Sequence, residues 1–197
     1  MRKANLVIAA VTVITLGGTL YACNSAATKE EKDAPILTQA QMVERGNYLV
    51  SSIGCDDCHS PKRMGAHGPE IVPELRFSGY PADRPVQKPD SSAMKGGYML
   101  FGPDLTSAIG PWGISFSANI SSDATGIGNW TEHNFITAMR TGKMKGLENN
   151  RSMLPPMPWF NFKNLTDEDL KSIFAYLKST TPVHNQVPAP KQLAEIK

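Results

Sequence analysis

Apolar residues recur at helical spacing in three parts of the chain, and between them the pattern breaks down. Met42, Val43, Leu49 and Val50, with Tyr48, make one side of a helix expected over about 39 to 52. Thr38 and Gln41 stand at the spacing of a capping box at its start, and Gly54 is placed to end it. A second helix is expected to open at Trp130-Thr131, with Thr131 as N-cap, Phe135, Ile136 and Met139 on one side, and Gly142 as its stop. The third is the best marked. Thr166 caps it, Asp167, Glu168 and Asp169 sit at the positive end of its dipole, and Leu170, Ile173, Phe174 and Leu177 form an apolar stripe. Pro182 closes it. From Ser60 to Ile120 no period holds, and prolines recur at 61, 69, 73, 81, 85, 89, 103 and 111, so this stretch is expected to be mostly irregular. So long a loop inside a compact domain needs something to pack on. The chain after Pro188 reads as loose surface tail.

The N-terminal stretch has a different character. Arg2 and Lys3 precede an apolar run, Leu6 to Leu20, that falls short of the roughly 20 residues a spanning helix needs. It fits the apolar region of a signal peptide, expected over 1–22. The run ends at Leu20-Tyr21-Ala22-Cys23, which resembles the lipobox of bacterial lipoproteins, and Cys23 is the expected lipidation site. An ordinary signal peptide cleaved nearby and an uncleaved anchor are the other readings. Residues 23–37 are small, polar and charged, and read as a flexible tether. The body is expected over 38–188, with a tail at 189–197. Of the chain's 20 basic residues, Arg2 and Lys3 lie in the leader, which leaves 18 against 18 acidic ones. A mature chain without net charge gives no ground for a nucleic-acid partner; membrane attachment is expected through lipid instead.

The chemistry concentrates at Cys55-Asp56-Asp57-Cys58-His59. The spacing C-x-x-C-H reads as attachment of a c-type haem: two thiols form thioethers to one porphyrin, and the adjacent histidine ligates its iron. A zinc site would need a second ligand pair, and Cys23 is the only other cysteine. A thioredoxin-like dithiol expects a strand before it, whereas here a helix precedes. The second axial ligand is sought among nine methionines. Met157, between Pro156 and Pro158 and shortly before the last helix, is favoured over Met153. His67, His133 and His184 are weaker candidates. Trp112, Trp130 and Trp159 are expected to pack on the haem edge, and Arg140 is a candidate partner for a propionate.

Arg45-Gly46-x-Tyr48-Leu49-Val50 leading into Gly54-Cys55-x-x-Cys58-His59-Ser60-Pro61, with a Met-Pro before Leu165-Thr166-Asp167-Glu168-Asp169-Leu170 and Ala175-Tyr176-Leu177, resembles class I cytochromes c. Ser117-Ala118-Asn119-Ile120, with Thr125-Gly126-Ile127-Gly128 and Trp130-Thr131, is similar to the larger c-type domains of dehydrogenase cytochrome subunits and cytochrome c-553-like proteins. The resemblance implies an all-α fold in which the first and last helices cross, at Gly46 and Tyr48 on one side and Ala175 and Tyr176 on the other. The long irregular segment would then be an insertion that covers the haem. Many relatives carry two or three haem motifs, whereas this chain has one. The expected function is therefore that of an exported, membrane-tethered, single-haem electron carrier, with heme c and iron as cofactor and no catalytic residue. Its expected partners are redox proteins such as a dehydrogenase or a terminal oxidase. A peroxidase-like haem enzyme, or a gas sensor with an exchangeable sixth ligand, is the alternative.

Overall fold

A computed structural model of the chain describes residues 37–86 and 96–195. The expected signal peptide, the Cys23 lipidation site and nearly all of the tether lie outside the described residues. The body is a helical frame. Helix α1 spans Gln39–Ser52, the single-turn helix α2 spans Cys55–His59, and α3 spans Glu132–Thr141. The short α4 covers Trp159–Phe162, and α5 covers Asp167–Ser179. The expected capping box forms at α1, and the expected N-cap Thr131 turns out to form a second one at α3. The Thr38 hydroxyl accepts from Gln41 N–H while the Gln41 side chain accepts from Thr38 N–H, and Thr131 and Asn134 do the same at α3. Thr166 caps α5, and Gly142 ends α3 in the left-handed region, at φ 68°.

Helices α1 and α5 pack closely. Val50, Phe77, Ile127, Phe135, Ala138, Met139, Leu170, Ile173 and Leu177 form the buried core shared by α1, α3 and α5. Gly46 lies in the crossing: a Cβ there would stand 2.6 Å from Tyr176 Cβ and from the carbonyl carbon of Ser172. Arg45 clamps the same joint, with Nε and Nη2 on Asp169 Oδ1 at 2.7 and 2.5 Å. Tyr48, expected in the crossing, is instead 69% exposed. It stands two residues from both Gly46 and Val50, which share the buried face, and an offset of two turns a side chain to the other side of a helix.

Among its described residues the stretch from Ser60 to Ile120 is mostly irregular, as expected, but not throughout. It contains two antiparallel sheets, β1 (Lys62–Gly65) with β2 (Gly68–Ile71), and β3 (Leu100–Phe101) with β4 (Ser107–Gly110) and β5 (Gly113–Phe116). Each tight hairpin turns between glycines that pair across it, Gly65 with Gly68 and Gly110 with Gly113. Strands of two to four residues are too short for alternation to show against a proline-rich background. The C-terminal tail is also not loose. Lys191 and Ile114 exchange backbone hydrogen bonds of 3.1 and 2.8 Å, so the tail adds a bridge to β5, and a 3-10 turn follows at Leu193–Glu195. That pairing is long-range, and no local property of residues 189–195 announces it.

Candidate haem site

The C-x-x-C-H motif is itself helix α2. Gly54, at φ 78° in the left-handed region where glycine is at ease, breaks the path from α1 and starts the new turn. The two cysteines are not joined to each other in a disulfide. Burial, reinforced by Asp56 and Asp57, pushes the Cys55 thiol up to about 12. Burial and Asp57 raise Cys58 as well. A redox dithiol needs the opposite, a thiolate stabilised near neutral pH. Among the described residues no three His, Cys, Asp or Glu side chains gather to hold a metal ion.

His59 is held from two sides. Its Nδ1 lies 2.7 Å from the Ala118 carbonyl oxygen. A carbonyl only accepts, so Nδ1 carries the proton and Nε2 keeps its lone pair for a metal. Burial lowers the ring's pKa, outweighing the Ala118 hydrogen bond, and keeps the imidazole neutral, as a ligand must be. The His59 carbonyl accepts from Gly79 N–H at 2.8 Å.

The helix that carries the motif is braced by two cations whose spacing gives no sign of the role. Arg76 Nε and Nη2 donate to the two oxygens of Asp56 at 3.0 and 2.8 Å, and Ser60 Oγ donates to Asp56 Oδ1 at 2.7 Å. Lys62 Nζ donates to the carbonyls of Asp57 (2.7 Å), Ser60 (2.9 Å), Asp56 (3.0 Å) and Asp104 (3.3 Å). It thus caps the C-terminal, negative end of α2 and ties it to the segment before β4. Sequence reasoning missed both, because their partners are backbone carbonyls and a carboxylate inside the motif.

Met153 and Met157 are both partly buried and pack, as Cys55 does, against the α1–α3–α5 core. Each is tethered locally. Met153 N–H donates to the Gly142 carbonyl at 2.7 Å, and the Pro155 carbonyl, two residues before Met157, accepts from Ser115 Oγ at 2.6 Å. His67 is exposed in the β1–β2 turn, His133 is exposed on α3, and His184 is 81% exposed beside Asp123. Arg140 pairs with Asp167 (2.5 Å) and donates to the Lys163 carbonyl, so it ties α3 to α5 rather than standing free for a propionate. Trp130 packs against the core, Trp159 covers Gly142, and Trp112 lies in the β4–β5 turn with Nε1 donating to Ser115 Oγ. Two cysteines one helical turn apart, an imidazole with Nε2 available and thioethers against the same apolar core make a donor set that suits a covalently held haem.

The Cytochrome c family model matches residues 43–181. The chain belongs to the cytochrome c family. Membership of that family implies covalently bound heme c with its iron. The chain is similar to the fructose dehydrogenase cytochrome subunit of Gluconobacter japonicus, 28% identical over 186 residues, covering 93% of this chain and 29% of that protein. It is similar to the gluconate 2-dehydrogenase cytochrome c subunit of Pantoea cypripedii, 29% identical over 136 residues, 68% of this chain and 22% of that one. A nicotinate dehydrogenase subunit of Pseudomonas putida is 40% identical over 80 residues, 40% of this chain and 6% of that protein. The chain thus spans less than a third of the length of each of these relatives.

Proposed function

We propose that this cytochrome carries a single haem, joined through Cys55 and Cys58 and ligated by His59 and Met157, and that it passes electrons as the cytochrome subunit of a membrane-associated dehydrogenase. The observation that carries the reading is the His59–Ala118 hydrogen bond, which leaves Nε2 free at the end of the helix holding both cysteines. The bound haem supplies an iron that gains and loses one electron. The protein's residues hold that group rigidly. Cys55 and Cys58 fix its edge, Ala118 fixes the plane and tautomer of His59, and the prolines around Met157 limit its movement. The one C-x-x-C-H in the sequence supports one haem. The names of the relatives support a dehydrogenase partner. The apolar run and Leu20-Tyr21-Ala22-Cys23 support export and a lipid anchor at Cys23. Among the described residues no helix is long and apolar enough to cross a membrane.

The test is the weak near-infrared sulfur-to-iron band of the oxidised protein. It should disappear, and the potential should fall, in Met157→Ala, while Met153→Ala leaves both nearly unchanged. The reverse pattern assigns Met153 instead. A high-spin haem that binds gases or reacts with peroxide in the unaltered protein refutes the carrier reading. Intact-mass measurement of membrane-extracted protein should find an acylated Cys23 at the N-terminus, and an unmodified Cys23 refutes the anchor.

A further inference from the structure

The Ala118 carbonyl that orients His59 belongs to a short irregular segment, and what holds that segment lies far along the chain. Asn185, beyond the last helix, uses its whole side chain as a clamp. Its Nδ2 donates to the carbonyls of Ser78 (2.7 Å) and Tyr80 (2.9 Å), and its Oδ1 accepts from Ala82 N–H (2.9 Å). Its backbone joins the other side: its N–H donates to Thr125 Oγ1 (3.0 Å), and its carbonyl accepts from Asn119 Nδ2 (3.3 Å). Asn119 is buried and directly follows Ala118. Residues 78–80 and 117–119, the two segments clamped in this way, both touch the histidine. Gly79 N–H donates to the His59 carbonyl, and Tyr80 N–H donates to the Ser117 carbonyl at 3.0 Å. Gly79 is pressed against the Ala118 peptide so closely that a Cβ would stand 2.5 Å from its carbonyl carbon and 2.6 Å from its oxygen. The position of the Ala118 oxygen is therefore set by residues 78–80 from one side and by Asn119 from the other, and Asn185 bonds to both.

We propose that Asn185 is a positioning residue for the axial histidine: it acts through Ser78, Tyr80 and Asn119 to hold the Ala118 carbonyl on His59 Nδ1, and so tunes the iron. This rests on His59 being the ligand. A hydrogen bond from the distal ring N–H makes the coordinating nitrogen more basic and favours the oxidised metal. Loosening the clamp weakens that bond, so the midpoint potential shifts upward and the ring proton loses protection from solvent.

The experiment uses the haem-loaded protein and the variants Asn185→Ala and Asn185→Ser. The serine is too short to reach both carbonyls and is the milder change should the alanine fail to mature. In each, the midpoint potential and the exchange rate of the His59 Nδ1 proton, read by NMR of the reduced protein, are compared with wild type and with Arg140→Ala. The Arg140 change cuts the α3–α5 tie without touching the clamp, and so controls for a plain loss of stability. The expected result is exchange at least tenfold faster and an upward potential shift in the Asn185 variants, with neither in Arg140→Ala. Wild-type exchange and potential in a folded Asn185 variant overturn the clamp, as does an equal shift in Arg140→Ala. If the unaltered protein shows no ring-proton resonance from an iron-bound His59, the ligand assignment itself falls, and the proposal with it.

Discussion

Gly46→Ala should weaken the protein by an amount that follows from the helix crossing. The added Cβ would stand 2.6 Å from Tyr176 Cβ and from the Ser172 carbonyl carbon, where carbon atoms in good contact lie about 3.5–4.0 Å apart. The obstruction is the backbone of α5, so no side-chain rotation relieves it, and the helices must separate by about 1 Å. A gap of that size forfeits roughly a quarter to a half of each contact's dispersion energy along the seam of Val50, Leu170, Ile173 and Leu177. Overpacking of this kind costs about 1–3 kcal/mol, and backbone-on-backbone contact places it at the upper end. Alanine's better helix propensity returns about 1 kcal/mol. The net loss is about 2 kcal/mol, or a fall in Tm of about 4–8 °C for a domain of this size. Thermal unfolding of the haem-loaded protein, followed by far-ultraviolet circular dichroism, measures it. An unchanged or higher Tm would falsify the close crossing.

Two further predictions concern charge. Burial by itself would raise the Asp104 carboxyl, but hydrogen bonds from Thr106 and Arg84 outweigh it and hold the group below its ordinary value; Asp56, bonded to Arg76 and Ser60, behaves alike. A carboxyl depressed in the folded state stabilises fully above its unfolded pKa of about 4 and loses that contribution as pH falls through the folded value. Tm should therefore decline as pH drops below about 6.5, where the unfolded chain protonates His59 and the folded one does not, and fall further below about pH 4 as the carboxyls protonate. Asp104→Asn should be less stable at pH 7, by about 1–3 kcal/mol, and less sensitive to acid; a Tm that rises on acidification contradicts the argument. Lys62→Met removes a cation fixed beside His59, so the midpoint potential should drop, whereas Lys62→Arg keeps the charge and most of the potential. A potential unmoved in Lys62→Met would show that Lys62 acts on structure alone.

What residues 37–195 owe to sequence alone is mostly local. A helix start is written in neighbours three residues apart, so Thr38, Thr131 and Thr166 were legible as caps, and the apolar stripe of α5 follows from a period of 3.6 residues. The haem motif is local too, because two thioethers and one iron bond on a single porphyrin require their donors within one turn. The rest depends on contacts between distant parts of the chain. The strands β1 to β5 are too short to show a period, and Lys191 pairs with Ile114 across 77 positions. Arg140 was a plausible propionate partner until the fold set Asp167 beside it. The groups that hold His59, the Ala118 carbonyl and the Asn185 clamp behind it, are a backbone atom and an ordinary polar side chain 59 and 126 residues away. A carbonyl has no residue type to betray it, so its role as the histidine's partner is decided only when tertiary packing brings residues 59, 79, 118 and 185 together.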